Sequence, residues 1–281
     1  MTKLPELKTL VNDVYSLFNQ ENHHTPSEEN LEAFAENVKE LLRQRLAKRE
    51  PDKNSIRFSN LGKPDRVHWY KANGYEGEAF RPQTLLKFLY GDLIEQLMVF
   101  LIKESGHTVE DEQREIELDG ILGHIDAIID GHVADVKSAS PFSFQKFEDG
   151  SVLEKDPFGY VPQISGYENV IRAGRAPTFI AFDKVHGDVC VREVPEEAVQ
   201  ANKPAERIAH LKQVITQEEP PKRCYEPVPD GKSGNMKLGT ECSYCEFKKA
   251  CWPGLRTFLY SNGPRHLVTV AKLPDVFEAI G

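Results

Sequence analysis

The sequence predicts an α/β chain, on three observations. Segments with the apolar spacing of helices lie on both sides of a central block. That block, residues 107–138, breaks into strand-like runs. Between two of those runs sits Asp130-Gly131, a residue pair suited to a two-residue hairpin loop in which both residues take positive φ.

The bulk composition narrows the classes. At 281 residues the chain has material for one large domain or two small ones. The net charge of −9 argues against a surface coated in basic residues for nucleic acid. It leaves room for a local basic groove. A site built from carboxylates also subtracts charge until a cation binds. No apolar run reaches the ~20 residues of a membrane span. The N-terminus, Met1-Thr2-Lys3-Leu4-Pro5-Glu6, lacks the apolar core of a signal peptide. A cytoplasmic protein with no membrane partner is the expectation. There is no internal repeat.

Taken in order, residues 4–20 carry helical spacing through Leu7, Leu10, Val11, Val14, Leu17 and Phe18. A second helix opens at Thr25-Pro26-Ser27-Glu28, with Thr25 as N-cap, Pro26 at the first helical position and Glu28 as the reciprocal cap. It runs to about Arg49. Its end carries Arg43, Arg45, Lys48 and Arg49, either a solvated end complementing the helix dipole or a DNA contact. Residues 50–82 read as an irregular loop with Lys63, Arg66, Lys71 and Arg81. So long a loop is unusual unless it is functional. Trp69 and Tyr70 within it anchor the loop to the core, with base stacking as the alternative.

Residues 83–105 form an apolar helix (Leu85, Leu86, Phe88, Leu89, Ile94, Leu97, Met98, Leu101, Ile102) stopped by Gly106. Glu95 lies within it, and Gly91 one turn earlier leaves room beside it; the alternative is that Glu95 faces water. Strand-like runs follow at 107–118, 121–129 and 132–138, then a loop through Pro141 and Pro157. A helix at 158–173 places Tyr160, Gln163 and Tyr167 on one face. A second hairpin spans 177–185 and 188–194, with Cys190 as a buried structural thiol, and a helix covers about 203–217.

Numbering outward from the Asp130-Gly131 loop pairs Ile129 with His132, Ile128 with Val133, Ala127 with Ala134, and Asp126 with Asp135. Lys137 lies two residues beyond Asp135, on the same face and opposite His124. Opposed like charges in a sheet are destabilising. A divalent cation between the carboxylates relieves that, as does protonation of one of them. The bland alternative is a solvated sheet face.

The order Gly91-x-x-x-Glu95 on a helix, Asp126 on a strand, Asp135-x-Lys137 on the next strand and Gln163-x-x-x-Tyr167 on a helix resembles the PD-(D/E)XK nuclease superfamily, in its RecB-type and phage-exonuclease branch. The likeness covers about 95–170. Lys87-Phe88-Leu89-Tyr90-Gly91 and Gly123-His124-Ile125-Asp126 also read like phage exonucleases. Many RecB-type members have His where this chain has Glu95. The resemblance implies a restriction-endonuclease-like core, a mixed central β-sheet flanked by helices. It also implies Mg²⁺ or Mn²⁺ and phosphodiester hydrolysis. Under it Asp126 and Asp135 are metal ligands, Glu95 is a ligand or water anchor, and the Val136 carbonyl adds an oxygen. Lys137 orients the attacking water or stabilises developing charge. Gln163 and Tyr167 position Lys137 or a phosphate, and His124 contacts the phosphate or is structural.

Four of the five cysteines cluster, as Cys224 and then Cys242-x2-Cys245-x5-Cys251. Clustered thiols in a reducing compartment suggest a metal rather than disulfides. Four thiolates suit tetrahedral zinc or an iron–sulfur cluster. The run resembles the C-terminal part of iron–sulfur nucleases, which implies a 4Fe–4S cluster with a structural role; Zn²⁺ is the alternative. In those nucleases the fourth cysteine lies far upstream, and here Cys224 must serve.

The expected organisation is an N-terminal helical region and basic loop (1–82), a nuclease core (83–217) and a cysteine-cluster segment (218–281). The expected function is that of a phage-encoded, metal-dependent DNA exonuclease in the host cytoplasm, acting on single-stranded or duplex ends. It would work as a homo-oligomer or with a recombination or replication partner. Three alternatives stand beside it: a non-catalytic DNA-binding recombination factor, an RNA-processing nuclease, and a zinc-stapled structural module.

Overall fold

The structure is a computed structural model that describes residues 6–19, 21, 23–47 and 56–279. In chain order its main elements are α1 (Leu10–Ser16), α2 (Glu28–Leu46), α3 (Asp65–Ala72), α4 (Pro82–Glu104), β1 (Val109–Glu110), β2 (Glu115–Leu118), β3 (Ile121–His124), β4 (Ala127–Ile129) and β5 (His132–Ala139). There follow α5 (Pro141–Glu148), α6 (Tyr160–Ile171), β6 (Thr178–Asp183), β7 (Val189–Glu193), α7 (Glu196–Ala201) and α8 (Pro204–Val214). The remainder comprises β8 (Val228–Pro229), β9 (Met236–Lys237), α9 (Thr240–Ser243), α10 (Lys248–Cys251), β10 (Arg256–Tyr260), β11 (Gly263–Thr269) and β12 (Glu278–Ala279).

The chain is mixed α/β and divides into two compact units. One holds the N-terminal helices, Arg57–Gly62 and Arg81–Ile208; the other holds Lys63–Phe80 and Ala209 onward. This differs from the three successive segments expected from the sequence. Residues 63–80 belong with the cysteine segment because Trp69 and Tyr70 pack with Val214 and Phe247 in one apolar cluster.

The first unit is built on a sheet in the order β1-β4-β5-β6-β7. Only the β5–β6 pair is parallel. Parallel neighbours need a crossover, and α5 and α6 supply it. Alternation along β5 then sorts the side chains. Ala134 and Val136 join Ala127, Ile129 and Ile180 in a core with Leu10 and Val14 of α1 and Ile94, Met98 and Ile102 of α4. Asp135 and Lys137 point to the opposite face, where Phe179, the partner of Asp135 across the ladder, meets rings of α5 and α6.

The hairpin forms as the sequence predicts. Ile129 pairs with His132, Ile128 with Val133 and Ala127 with Ala134. Asp130 has φ 51° and Gly131 φ 81°, the two positive values of a type I′ turn. Asp130 is also pinned: Oδ2 lies 2.6 Å from Nδ1 of buried His107, and Oδ1 accepts the Thr108 N–H.

The ladder stops at Ala127, however. The expected strand over 121–129 breaks at Ile125-Asp126, and its first half pairs with β2 in a separate two-stranded ladder. The run at 107–118 likewise divides into β1 and β2. The N-cap of α2 is Ser27, whose Oγ accepts the Asn30 N–H, rather than Thr25. That helix ends at Leu46, and Lys48 and Arg49 lie outside the described residues. Residues 50–82 are less irregular than expected, since they contain α3. Pro141, read as a loop residue, opens α5 behind the Ser140 cap.

The second unit carries a sheet in the order β12-β10-β11-β9-β8, within the segment expected only to hold the cysteine cluster. Among the described residues, no helix is long and apolar enough to cross a membrane.

Candidate active site

The break that ends the ladder also builds the site. Asp126 follows the end of β3 and precedes β4, so its side chain turns toward β5 and its Oδ2 accepts the Val136 N–H at 2.7 Å. The two acids expected to oppose each other directly are thus joined through the neighbouring peptide. An extended residue sends its N–H and C=O toward the same adjacent strand. The Val136 carbonyl therefore projects to the side that Asp126 occupies.

On β5, Lys137 Nζ lies 2.7 Å from both oxygens of Asp135 and donates to Oδ1. Asp135 is buried, and its Oδ2 has no hydrogen-bond partner among the described residues. Glu95 approaches from α4, which passes close to β5: a Cβ on Gly91 would sit 3.0 Å from the Ser138 Oγ.

The electrostatics are those of crowded acids. Burial raises the Glu95 carboxyl; Lys137 opposes the rise, Asp135 and Asp92 add to it, and the balance is about 7. Burial, then the charges of Glu95 and Asp135, push Asp126 well above the usual carboxylate range. Burial likewise raises Asp135 against the pull of Lys137. Burial works against the charge on Lys137, but Asp135 and Asp126 outweigh it and hold the ammonium protonated. Three acids around one ammonium leave surplus negative charge out of water, the condition in which a site takes up either a proton or a cation.

Hard donors of this kind fit Mg²⁺ or Mn²⁺. Asp135 Oδ2 is buried and meets the Lys137 ammonium without accepting a hydrogen bond among the described residues, and Asp126 reaches the neighbouring Val136 peptide. No three donor atoms of Glu95, Asp126 and Asp135 lie mutually within 4.8 Å among the described residues. That spacing suits an ion bound by one or two carboxylates and several waters better than a closed protein cage.

Gln113 is a site residue that sequence reasoning missed. Its side-chain amide donates to Glu95 Oε1 at 2.8 Å, and its backbone N–H donates to the Asp126 carbonyl at 3.1 Å. It sits at φ 53° in the loop between β1 and β2, a conformation that nothing in the local sequence announces. Tyr160 is a second: its ring lies 5.0 Å from Lys137 Nζ.

Other expected residues fall elsewhere. Gln163 donates to the Tyr167 hydroxyl at 3.0 Å rather than to Lys137. Tyr167 is buried against Phe58 and feels the charges of Asp135, Asp126 and Lys137 from behind the site. His124 is not opposite Lys137. It pairs with Glu115, its Nε2 is 3.5 Å from that carboxylate, and its side chain is exposed. The strand break explains this, because residues before Ile125 leave the hairpin. Cys190 is a half-buried thiol that burial pushes up to about 11, in keeping with an inert structural role.

No protein-family profile and no curated protein matches the chain. Among solved structures, one titled "Crystal structure of SSO0001" aligns over 78% of this chain and 96% of its own length. The identity is 17% and the TM-score 0.40. At that level of likeness the chemistry rests on the site itself.

In the second unit, Cys242 lies in α9, Cys245 follows its end, Cys251 closes α10, and Cys224 precedes β8. Burial and then the charges of Cys245, Cys251 and Cys224 push the Cys242 thiol up to about 12, so the four sulfurs share one neighbourhood. None is in a disulfide. Cys245 and Cys251 pack against the Trp69, Tyr70 and Phe247 cluster. No three of the sulfurs lie mutually within 4.8 Å among the described residues. One tetrahedral zinc with Zn–S bonds of about 2.3 Å would draw them closer than that.

A further set, Asp183, His186 and Asp188, has donor atoms within 4.8 Å of one another at the β6–β7 turn. Asp183 already serves that turn, accepting the Val185 and His186 N–H groups and contacting His186 Nδ1 at 2.8 Å.

Proposed function

We propose that the chain is a divalent-metal-dependent deoxyribonuclease that hydrolyses phosphodiester bonds, acting as an exonuclease on single-stranded or duplex DNA ends. The observation that carries the reading is the group of half-buried Asp126, Glu95 and Lys137 around buried Asp135, on one hairpin and one helix, with all three acids raised and Lys137 held charged. Mg²⁺ or Mn²⁺ would be held by Asp126, Asp135 and the Val136 carbonyl, with Glu95 as a ligand or water anchor. When bound, the cation supplies charge neutralisation at the phosphate and a more acidic attacking water. Lys137 places a fixed positive charge where negative charge develops, a contribution worth several kcal/mol in typical sites. Asp135 orients that ammonium, and Gln113 holds Glu95 against the Asp126 segment.

The likeness of Gly91-x-x-x-Glu95, Asp126, Asp135-x-Lys137 and Gln163-x-x-x-Tyr167 to phage-type exonucleases supports DNA ends as substrate and a role in phage recombination, replication or DNA degradation. It supports a homo-oligomer, or a replication or recombination protein, as partner. By the likeness of the Cys242-x2-Cys245-x5-Cys251 run to iron–sulfur nucleases, the four cysteines would carry a 4Fe–4S cluster with a structural role, with Zn²⁺ as the alternative.

Incubation of end-labelled single- and double-stranded linear DNA, closed circles and RNA with Mg²⁺, Mn²⁺ or EDTA tests this. Metal-dependent loss of linear DNA with circles spared is expected. Binding of DNA without cleavage would replace the reading with a non-catalytic recombination factor, and cleavage of RNA alone with an RNA-processing enzyme.

A further inference from the structure

We infer that Tyr160 is a positioning residue for Lys137: the face of its ring holds the ammonium that Asp135 also contacts. The catalytic consequence rests on the nuclease reading above; the placement of the ammonium does not.

Tyr160 begins α6 directly after Gly159, which has φ 78°. Its ring is hemmed in by Phe147 at 6.2 Å, Phe158 at 5.6 Å and Phe179 at 6.5 Å between centroids. Phe147 and Phe179 are buried, so this wall is part of the core rather than a mobile flap. Lys137 Nζ lies 5.0 Å from the ring centroid while contacting Asp135 at 2.7 Å. The ammonium therefore contacts a carboxylate on its own strand and lies over a ring on the crossover helix.

The choice of an aromatic partner follows from the charge balance. A lysine has a flexible four-carbon stem and three donors. Asp135 alone leaves the stem free to swing. Another carboxylate would restrain it, but would add a further negative charge to acids that burial and neighbouring carboxylates already raise. A ring face attracts a cation through its quadrupole and brings no net charge. It also accepts none of the donors strongly, which leaves them for a water or a phosphate oxygen. Packing alone accounts for the aromatic wall but not for a cation over its face.

The test combines two readouts on wild type, Tyr160→Phe and Tyr160→Leu. In metal-free protein labelled at lysine ε-carbons, the Lys137 ε-protons are expected to be displaced upfield by the ring in wild type and Tyr160→Phe. In Tyr160→Leu they should return toward the position of other lysines. With Mn²⁺ and linear DNA, Tyr160→Phe should keep kcat within about twofold. Tyr160→Leu should lose about tenfold in kcat with KM unchanged, the loss expected for a desolvated cation–π contact. Phenylalanines carrying one, two and three fluorines at position 160 keep the shape and weaken the quadrupole, so kcat should fall stepwise. This series also serves if Tyr160→Leu does not fold.

Identical Lys137 resonances in wild type and Tyr160→Leu would overturn the placement, whatever the activity. A flat fluorine series, or an unchanged kcat in folded Tyr160→Leu, would overturn the positioning role. If wild type shows the displaced resonance but cleaves no DNA, the nuclease reading fails and the catalytic role of Tyr160 falls with it, while the ring's hold on the ammonium stands.

Discussion

The side-chain amide of Gln113 donates to Oε1 of Glu95 at 2.8 Å, tying a loop residue to an acid on α4. Its own N–H holds the Asp126 carbonyl. Groups that orient metal ligands in this way typically contribute about 10–100-fold in affinity. Gln113→Ala should therefore weaken Mn²⁺ binding by about tenfold or more with little change in melting temperature, as titration calorimetry would show. An unchanged affinity would reduce Gln113 to a loop anchor.

Neutralising one acid should separate stability from activity. An asparagine at position 126 can still accept the Val136 N–H through its amide oxygen, while the repulsion from Glu95 and Asp135 disappears. Asp126→Asn should melt higher than wild type in EDTA and show no metal-dependent cleavage. Asp135→Asn should likewise abolish cleavage while leaving DNA binding intact. A lower melting point for Asp126→Asn without metal would mean that the acids do not strain the fold.

The pH response of the metal-free protein follows from Glu95. Its folded value of about 7 lies above the ordinary 4.5. Between those values the folded state keeps a proton that the unfolded chain has released, so stability declines as pH rises through that window. Asp126 and Asp135 shift in the same direction. Melting temperature in EDTA should drop from pH 5 to pH 8, and saturating Mg²⁺ should remove the drop by replacing the proton. Glu95→Gln should flatten the EDTA profile. A rise in melting temperature over this range would reverse the sign argued here.

Gly159 makes a fold-level prediction. A Cβ there would lie 2.8 Å from the Gly62 Cα, and φ is 78°. Gly159→Ala strains the backbone and pushes apart two segments of the same unit. It should lower the melting temperature and reduce activity through displaced Tyr160 and Tyr167. Gly174→Ala is the control: exposed Gly174 shares the positive φ, at 82°, but a Cβ there meets nothing within 4 Å, so alanine should be milder.

The cysteine quartet predicts a coloured, iron-containing protein when purified without air, with about four irons per chain. Cys245→Ser should lose the metal and destabilise the second unit. A colourless preparation with one zinc per chain would reject the cluster.

Much of the site was legible because it depends on local rules. Asp130-Gly131 specifies its turn, and period-two alternation places Asp135 and Lys137 on one face. Helical spacing locates Glu95. What escaped depends on contacts between distant segments. Nothing near Ile125 shows that the strand must break there, so His124 was misplaced and the Asp126 bond to Val136 was unseen. Trp69 and Tyr70 look like loop residues until Phe247 arrives to pack with them. Ser140-Pro141 is a helix-start signal that the local sequence does carry. The β10–β11 hairpin turns through Ser261-Asn262, since Tyr260 pairs with Gly263, and neither loop residue takes the positive φ of Asp130 and Gly131.

The turn at Asp130 and Gly131, fixed by His107, has an implication for the chain's own assembly. Shifting β5 by a single position against β4 would send Asp135 and Lys137 into the apolar core and expose Ala134 and Val136 in their place. Two residues at the bend thus decide whether a folded molecule brings its acids and ammonium together. A single amino acid inserted at this bend could leave a compact protein of normal composition with no chemistry at all.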